Sequence, residues 1–189
     1  MSLIPFGFWA ASGAGGGVAA YDLLETTTLT STASSVTFSG LGSYSDYAHL
    51  QIRMIVRSAW DNVSETLRPQ LNADSGENYA RHYLAGNGSS VNSGAQAPKE
   101  YFARPVISAA QSPTGQFTPI IFDILDFSSS SKNSTARVFS GHPSGNKNVA
   151  LESGLWINTD AITSFRVQPD TNANFVAGCR FSIFGLKGN

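Results

Sequence analysis

Charge is what this sequence has least of. Only 13% of its 189 residues are Asp, Glu, Lys or Arg, about half the usual quarter. The formal net charge is −1, so no long-range field draws the chain to nucleic acid or to an anionic membrane. There is a single cysteine, Cys179, which excludes an internal disulfide. It sits in an apolar, strand-like run and reads as a packed thiol rather than a nucleophile. Helical periodicity is missing as well: no window of eleven or more residues repeats its apolar positions every 3.6 residues. The polarity comes instead from Ser, Thr, Asn and Gln beside 18 Gly, a mixture that weakens helices further.

The opening stretch, MSLIPFGFWAASGAGGGVAAY, carries no charge before Asp22. A secretory signal needs a basic start, and the first Lys or Arg is Arg53. A membrane-spanning helix needs about 20 apolar residues that favour helix, whereas Pro5, Gly7, Gly13, Gly15, Gly16 and Gly17 interrupt this run. Myristoylation requires glycine second, and Ser2 stands there. What remains is a bulky apolar plug, Leu3, Ile4, Pro5, Phe6, Phe8 and Trp9, on a Gly/Ala tether. Such a plug is expected to be covered by protein, either its own domain or a neighbour. The tether favours a neighbour and makes residues 1–20 an extended anchor ahead of one domain over 21–189.

The body alternates with period two. Leu50, Ile52, Met54 and Val56 share one face of HLQIRMIV, and Val36 and Phe38 pair in VTFS. In VALESGLWINT, Val149, Leu151, Leu155 and Ile157 fall on one side, and in YARHYL His82 opposes Arg81 and Tyr83. About ten such segments are separated by turn clusters such as NADSGEN, AGNGSSVNSG and SPTG. The expected fold is all-β, an antiparallel β-sandwich of jelly-roll type. PIIFDILDF departs from alternation, being apolar on both sides. Ile121, Phe122, Ile124, Leu125 and Phe127 are therefore expected at an interface between subunits.

Catalytic groupings are scarce. Asp123 and Asp126 are three apart, which on a strand points them to opposite faces. His49, His82 and His142 lie in separate segments without metal-ligand spacing. Asn72, Asp74, Glu77 and Asn78 around Gly76 have a faint likeness to a calcium loop but lack its closing Glu. The Gly-containing turns GLGSYS and GNGSS lead into neither Lys-Ser/Thr nor a helix, so they are not phosphate loops. No catalytic residue, metal or cofactor is expected. Binding is the remaining capacity, through loop aromatics and amides: Tyr44, Tyr47, Trp60, Asn62, Asn87, Asn92, Asn146 and Asn148.

A set of segments carries a resemblance. YDLLETTTLTSTASSVTFSGL, YAHLQIRMIVRS, LNADSGENYARHYLAGNGSSV, FDILDFSSSSKNSTARVFSGH, SGLWINTDAITSFRV and NFVAGCRFSIFGLKG together resemble a group of virion structural or tail-fibre-like proteins. These belong to tailed bacteriophages of aquatic bacteria, cyanophages included. The likeness runs from about Tyr21 onward, and SLIPFGFW is similar to the openings of some members. It implies a virion component assembled in the host cytoplasm, which needs neither signal peptide nor disulfide. The expectation is a non-enzymatic trimeric tail-fibre or adhesin module. The N-terminal segment would attach it to other virion proteins, and the loops would touch host-surface glycan or protein. A capsid decoration protein, with the segment wedged between capsid subunits, is the alternative. Neither nucleic acid nor a membrane span enters either reading.

Overall fold

The computed structural model describes residues 21–143 and 148–188. The anchor residues Leu3, Ile4, Pro5, Phe6, Phe8 and Trp9, and the loop residue Asn146, lie outside the described residues. Twelve strands make up the described chain: β1 (Asp22–Thr28), β2 (Val36–Ser39), β3 (His49–Val56), β4 (Ser64–Leu71), β5 (Tyr79–Gly86), β6 (Val91–Lys99), β7 (Val106–Ser108), β8 (Thr118–Leu125), β9 (Ser134–His142), β10 (Asn148–Trp156), β11 (Ser164–Pro169) and β12 (Arg180–Leu186). The sole helical element among the described residues is a 3-10 turn at Leu41–Tyr44.

Two antiparallel sheets face each other. The larger has the order β1-β12-β3-β8-β9-β10-β5-β6 and the smaller β2-β11-β4-β7. Leaving aside β5, β6, β9 and β10, the remaining eight strands run first-eighth-third-sixth against second-seventh-fourth-fifth. That winding is a jelly roll, as the alternating segments and turn clusters led us to expect. The two hairpins β5–β6 and β9–β10 are additions that widen one sheet to eight strands and leave the other at four.

Alternation explains which residues meet between the sheets. Leu50, Ile52, Met54 and Val56 point inward from β3, with Ile120, Phe122 and Ile124 from β8 and Phe181 and Ile183 from β12. They meet Val36 and Phe38 of β2, Phe165 and Val167 of β11, Leu67 and Leu71 of β4 and Ile107 of β7. A file of rings runs through this layer. Trp156 stacks on Tyr79, then follow Phe102, Phe122 and Phe165, with successive centroids 5.5–6.4 Å apart, distances at which tilted and edge-on contacts are favourable. Cys179 is fully buried, its thiol held between the amide and the carbonyl of Arg57 at 3.3 Å each; burial pushes its pKa up.

The interface expected from PIIFDILDF needs correction here. Phe122, Ile124 and Phe127 are fully buried within this chain's own core. The strand does alternate: Ile121 is exposed and Leu125 half-buried on the opposite side. The apolar character of both faces arises because one face packs on the small sheet and the other forms part of an exposed surface. A subunit contact through this segment is left to Ile121 and Leu125.

This division has a measurable consequence. Phe122→Ala should cost about 3–5 kcal/mol, a fall in Tm of roughly 10 °C. Ile121→Ala should leave the melting of isolated chains within a few degrees. Equal losses from both substitutions would contradict the assignment of the two faces.

Candidate functional site

The widened sheet leaves two surfaces that the four-stranded sheet does not cover. The first is its outer face. Cross-strand pairing aligns Arg53 with Ile121, Ile121 with Phe139, Phe139 with Leu151 and Leu151 with Leu84, one row from β3 to β5. Beside it runs a second row, in which Ile55 pairs with Pro119, and Gly141, Val149, Gly86 and Val91 follow on β9, β10, β5 and β6. Five of these side chains, Phe139, Leu84, Val149, Leu151 and Val91, are exposed by between 49% for Phe139 and 73% for Val91. Between Arg53 and the edge strand β6 neither row contains a charge. Grooves of about 450 Å³ and about 660 Å³ lie along it, the first against Arg53, Ile55 and Ile121, the second against Gly86, Pro119, Gly141 and Val149.

β10 explains how such a face arises. Val149, Leu151 and Ile157 do share one side, as the alternation shows, but that side is solvent. Its inward positions are Ala150, Glu152, Gly154 and Trp156. Gly154 is required by close approach: a Cβ there would lie 2.3 Å from the Phe102 carbonyl oxygen. Trp156 donates its indole N–H to Asp74 at 2.7 Å. The strand is therefore fixed by a glycine, a charge and an indole inward, and its aliphatic side chains are turned out. The sequence signal for the face was present in VALESGLW and ARVFSG, where both alternating sets contain apolar residues.

The cationic end of the face is tied down. Arg53 lies between the rings of Tyr21 and Phe184, 4.9 and 4.5 Å from their centroids. It donates to Gln51 at 2.6 Å, and Gln51 donates to Asp123 at 2.7 Å. Asp126 is engaged separately, by Lys132 and His49, so the two carboxylates do not face one another.

The second surface is a polar cleft of about 290 Å³ beneath β5, β6 and β10, lined by Thr66, Arg81, Tyr83, Gln96, Arg104 and Asn148 among others. On its floor the buried Arg81 donates to Glu152 at 2.6 Å and to Gln96 at 2.9 Å. The backbone N–H of Arg104 donates to the same Glu152 oxygen at 2.9 Å. At the lip, Arg68 and Arg104 both grip Asp170, at 2.7 and 2.6 Å. Every cation in this cleft has an anionic partner. A buried pair of this kind, well hydrogen-bonded, roughly offsets its desolvation and fixes geometry more than it adds stability.

The loop residues expected to contact a receptor are dispersed. Trp60 is exposed beyond the end of β3, and Asn87 closes its own turn by accepting from the amides of Ser89 and Ser90. Both lie at the Ile55–Val149 end of the large sheet, yet β3 and β5 are four interstrand steps apart, about 19 Å. Tyr44 and Tyr47 belong to the opposite end, half-buried against the core; Tyr47 donates to Asp22 at 2.9 Å. Asn62 accepts from the next amide in its loop. Asn92 stands on β6 and Asn148 on β10, in strands rather than loops. His82 is exposed on the outer face, opposite in direction to Arg81 and Tyr83, as alternation requires.

In the Asx-rich turn, Asn72 accepts from the amides of Thr163 and Ser164. Asp74 accepts from Trp156, Gly76 and Asn78. These oxygens serve as turn and inter-strand acceptors instead of converging on one point. Among the described residues no group of three or more His, Cys, Asp or Glu side chains is placed to hold a metal ion.

No family model matches the chain, and no curated protein does. Among solved structures, it is similar to a protein of unknown function from Shewanella oneidensis MR-1. The identity is 8%, with 90% of this chain and 77% of that one covered, at a TM-score of 0.27.

Of the three carboxylates held below their ordinary pKa, Asp74, Asp126 and Asp170, the first and last join distant segments and make the fold pH-sensitive. Burial acts to raise the pKa of Asp74, but hydrogen bonds from Trp156, Gly76 and Asn78 outweigh it and hold the group below its ordinary value. Burial is likewise outweighed at Asp170, by Arg104 and Arg68. A folded pKa below the unfolded one means stability that is complete above the ordinary Asp value, about 3.9. It is lost as pH falls through that value toward the folded one. Melting temperature should therefore hold down to about pH 5 and drop below it, and Asp74→Asn should reduce that drop. A variant with the wild-type slope would show that Asp74 contributes none of it.

Proposed function

We propose that this protein is a non-enzymatic structural subunit of a tailed-phage virion, working as an assembly and binding module. The observation that carries this reading is the pair of apolar rows exposed on the outer face of the large sheet. Its exposed area is on the order of 600 Å², the upper end for the largest patch on a monomer, and protein surface is what covers such faces. Both grooves on that face combine aliphatic side chains and glycine with a few polar groups, Arg53 and Arg180 in the first and Asn87, His142 and Asn148 in the second, and the polar cleft consists of mutually paired ions. Neither arrangement supplies an activated nucleophile or an acid–base pair. The likeness of the six segments to phage virion proteins supports a virion as that assembly.

Within the virion, the first reading is a tail-fibre or adhesin module. Residues 1–20 attach it, and its loops meet host-surface glycan or protein. One observation favours the capsid-decoration alternative: Tyr44, Tyr47, Trp60 and Asn87 are spread over both ends of the sandwich, so they do not make one receptor patch. A decoration protein uses its faces and its N-terminal segment and needs no such patch.

Quantitative mass spectrometry of purified particles tests both. A decoration protein should approach the major capsid protein in copy number, and a fibre subunit should fall far below it. Absence from purified particles would defeat the virion reading altogether. Deleting residues 1–17 should leave a folded domain that fails to join particles; normal incorporation would show that the segment is not the anchor.

A further inference from the structure

From the relief of the outer face, we infer that its occupant is a second copy of this chain, paired face to face about a two-fold axis. This deepens the assembly reading above by naming the partner of the same surface.

The relief is self-complementary. The row Ile121, Phe139, Leu151, Leu84 stands proud. The neighbouring row is low at Gly141 and Gly86, with Val149 standing between them and Ile55 and Val91 at its two ends. A Cβ built on Gly141 meets no described atom within 4 Å, and one on Gly86 meets only the Ser90 carbonyl oxygen, at 3.9 Å. Phe139 and Gly141 are two apart on β9, and Leu84 and Gly86 are two apart on β5. Phe139 and Leu84 thus each have a depression about 6.6 Å along their own strands, whereas Leu151 has Val149 at that distance and would meet Val149 of the second copy.

A two-fold axis lying in the interface, parallel to the rows and midway between them, exchanges the rows. It sets Phe139 of each copy above Gly141 of the other, and Leu84 above Gly86. This is the reciprocity an isologous contact demands, and two sheets stacked so would pack at the usual ~10 Å spacing. The available area, on the order of 600 Å² on each copy, approaches the ~800 Å² per partner of a stable interface. A three-fold arrangement would use heterologous contacts, which the matching of one face to itself does not serve. The same axis brings Arg53 and Arg180 of both copies to one rim, where like charges repel. Added salt should therefore strengthen the pairing by screening them.

Sedimentation velocity of the full chain across the micromolar range, at low and high ionic strength, tests this. A dimer is expected, tighter at high salt. Phe139→Lys should weaken it at least tenfold. Gly141→Val is the sharper variant, because it adds apolar surface and suits a strand while filling the seat for Phe139. It should also weaken the dimer at least tenfold, whereas unspecific adhesion would grow stronger. Unchanged melting of both variants at the lowest usable concentration establishes that the monomer still folds. A monomer throughout, a trimer, or a dimer indifferent to both substitutions would each overturn the inference. So would a monomer that dimerises only after residues 1–20 are removed, since the occupant would then be that segment. The two readings fail separately. A virion-borne monomer sinks the pairing alone, and a two-fold dimer missing from purified particles sinks the virion reading alone.

Discussion

A sheet of eight strands packed on a sheet of four cannot be covered by it. This mismatch in width governs the rest of the molecule. The four-stranded sheet covers the inner faces of β12, β3, β8 and β9 with aliphatic and aromatic side chains. Beyond them, β10, β5 and β6 overhang. Part of the overhang is covered by the connection between β6 and β7, which inserts Phe102 and Ala103 over Gly154 and Tyr79. The remainder is the polar cleft. Its charges are neutralised in pairs, because an unpaired charge at that depth would cost several kcal/mol.

The overhang also determines the outer face. Of the inward positions on β10, Gly154 meets the Phe102 backbone, which demands glycine, Glu152 meets Arg81, which demands an anion, and Trp156 is held between Tyr79 and Asp74. Large aliphatic side chains have no place there and occupy the outward positions, where they align with Phe139 and Ile121. The exposed row is thus the counterpart of the specialised inner one. Such a surface persists in a folded protein when something covers it, because burying it yields about 25 cal/mol for each Å².

Much of this was legible in the residues. Period-two alternation grouped Leu50, Ile52, Met54 and Val56 on one face and Val36 with Phe38 on another, and both faces are the core side, while turn clusters separated the strands. Alternation has a two-fold ambiguity, however: it groups residues by face without saying which face is inside. In VALESGLW the bulkier set proved to be outside, since the deciding contacts, Gly154 with Phe102 and Trp156 with Asp74, join residues 52 and 82 positions apart. PIIFDILDF carried the same ambiguity in another form. Two apolar faces announce two covers, and only the three-dimensional arrangement shows that Phe122, Ile124 and Phe127 already have theirs. Residue type alone marks the loop candidates. Their dispersal follows from strand order, which local sequence does not encode.

The edges of the sheets bear on how such a chain associates. An unpaired strand invites addition of another, yet each edge here is blunted. β2 and β7, at the margins of the small sheet, have four and three residues. β1 has an irregular register between Leu23 and Glu25. β6 breaks register opposite Tyr79 and Arg81, and it includes Pro98, which has no N–H to offer. Association by strand addition is disfavoured at all four margins. The broad outer face, with projections and depressions in adjacent rows, is the surface left for contact. Association through a self-complementary face forms closed pairs, in which each copy consumes the surface of the other.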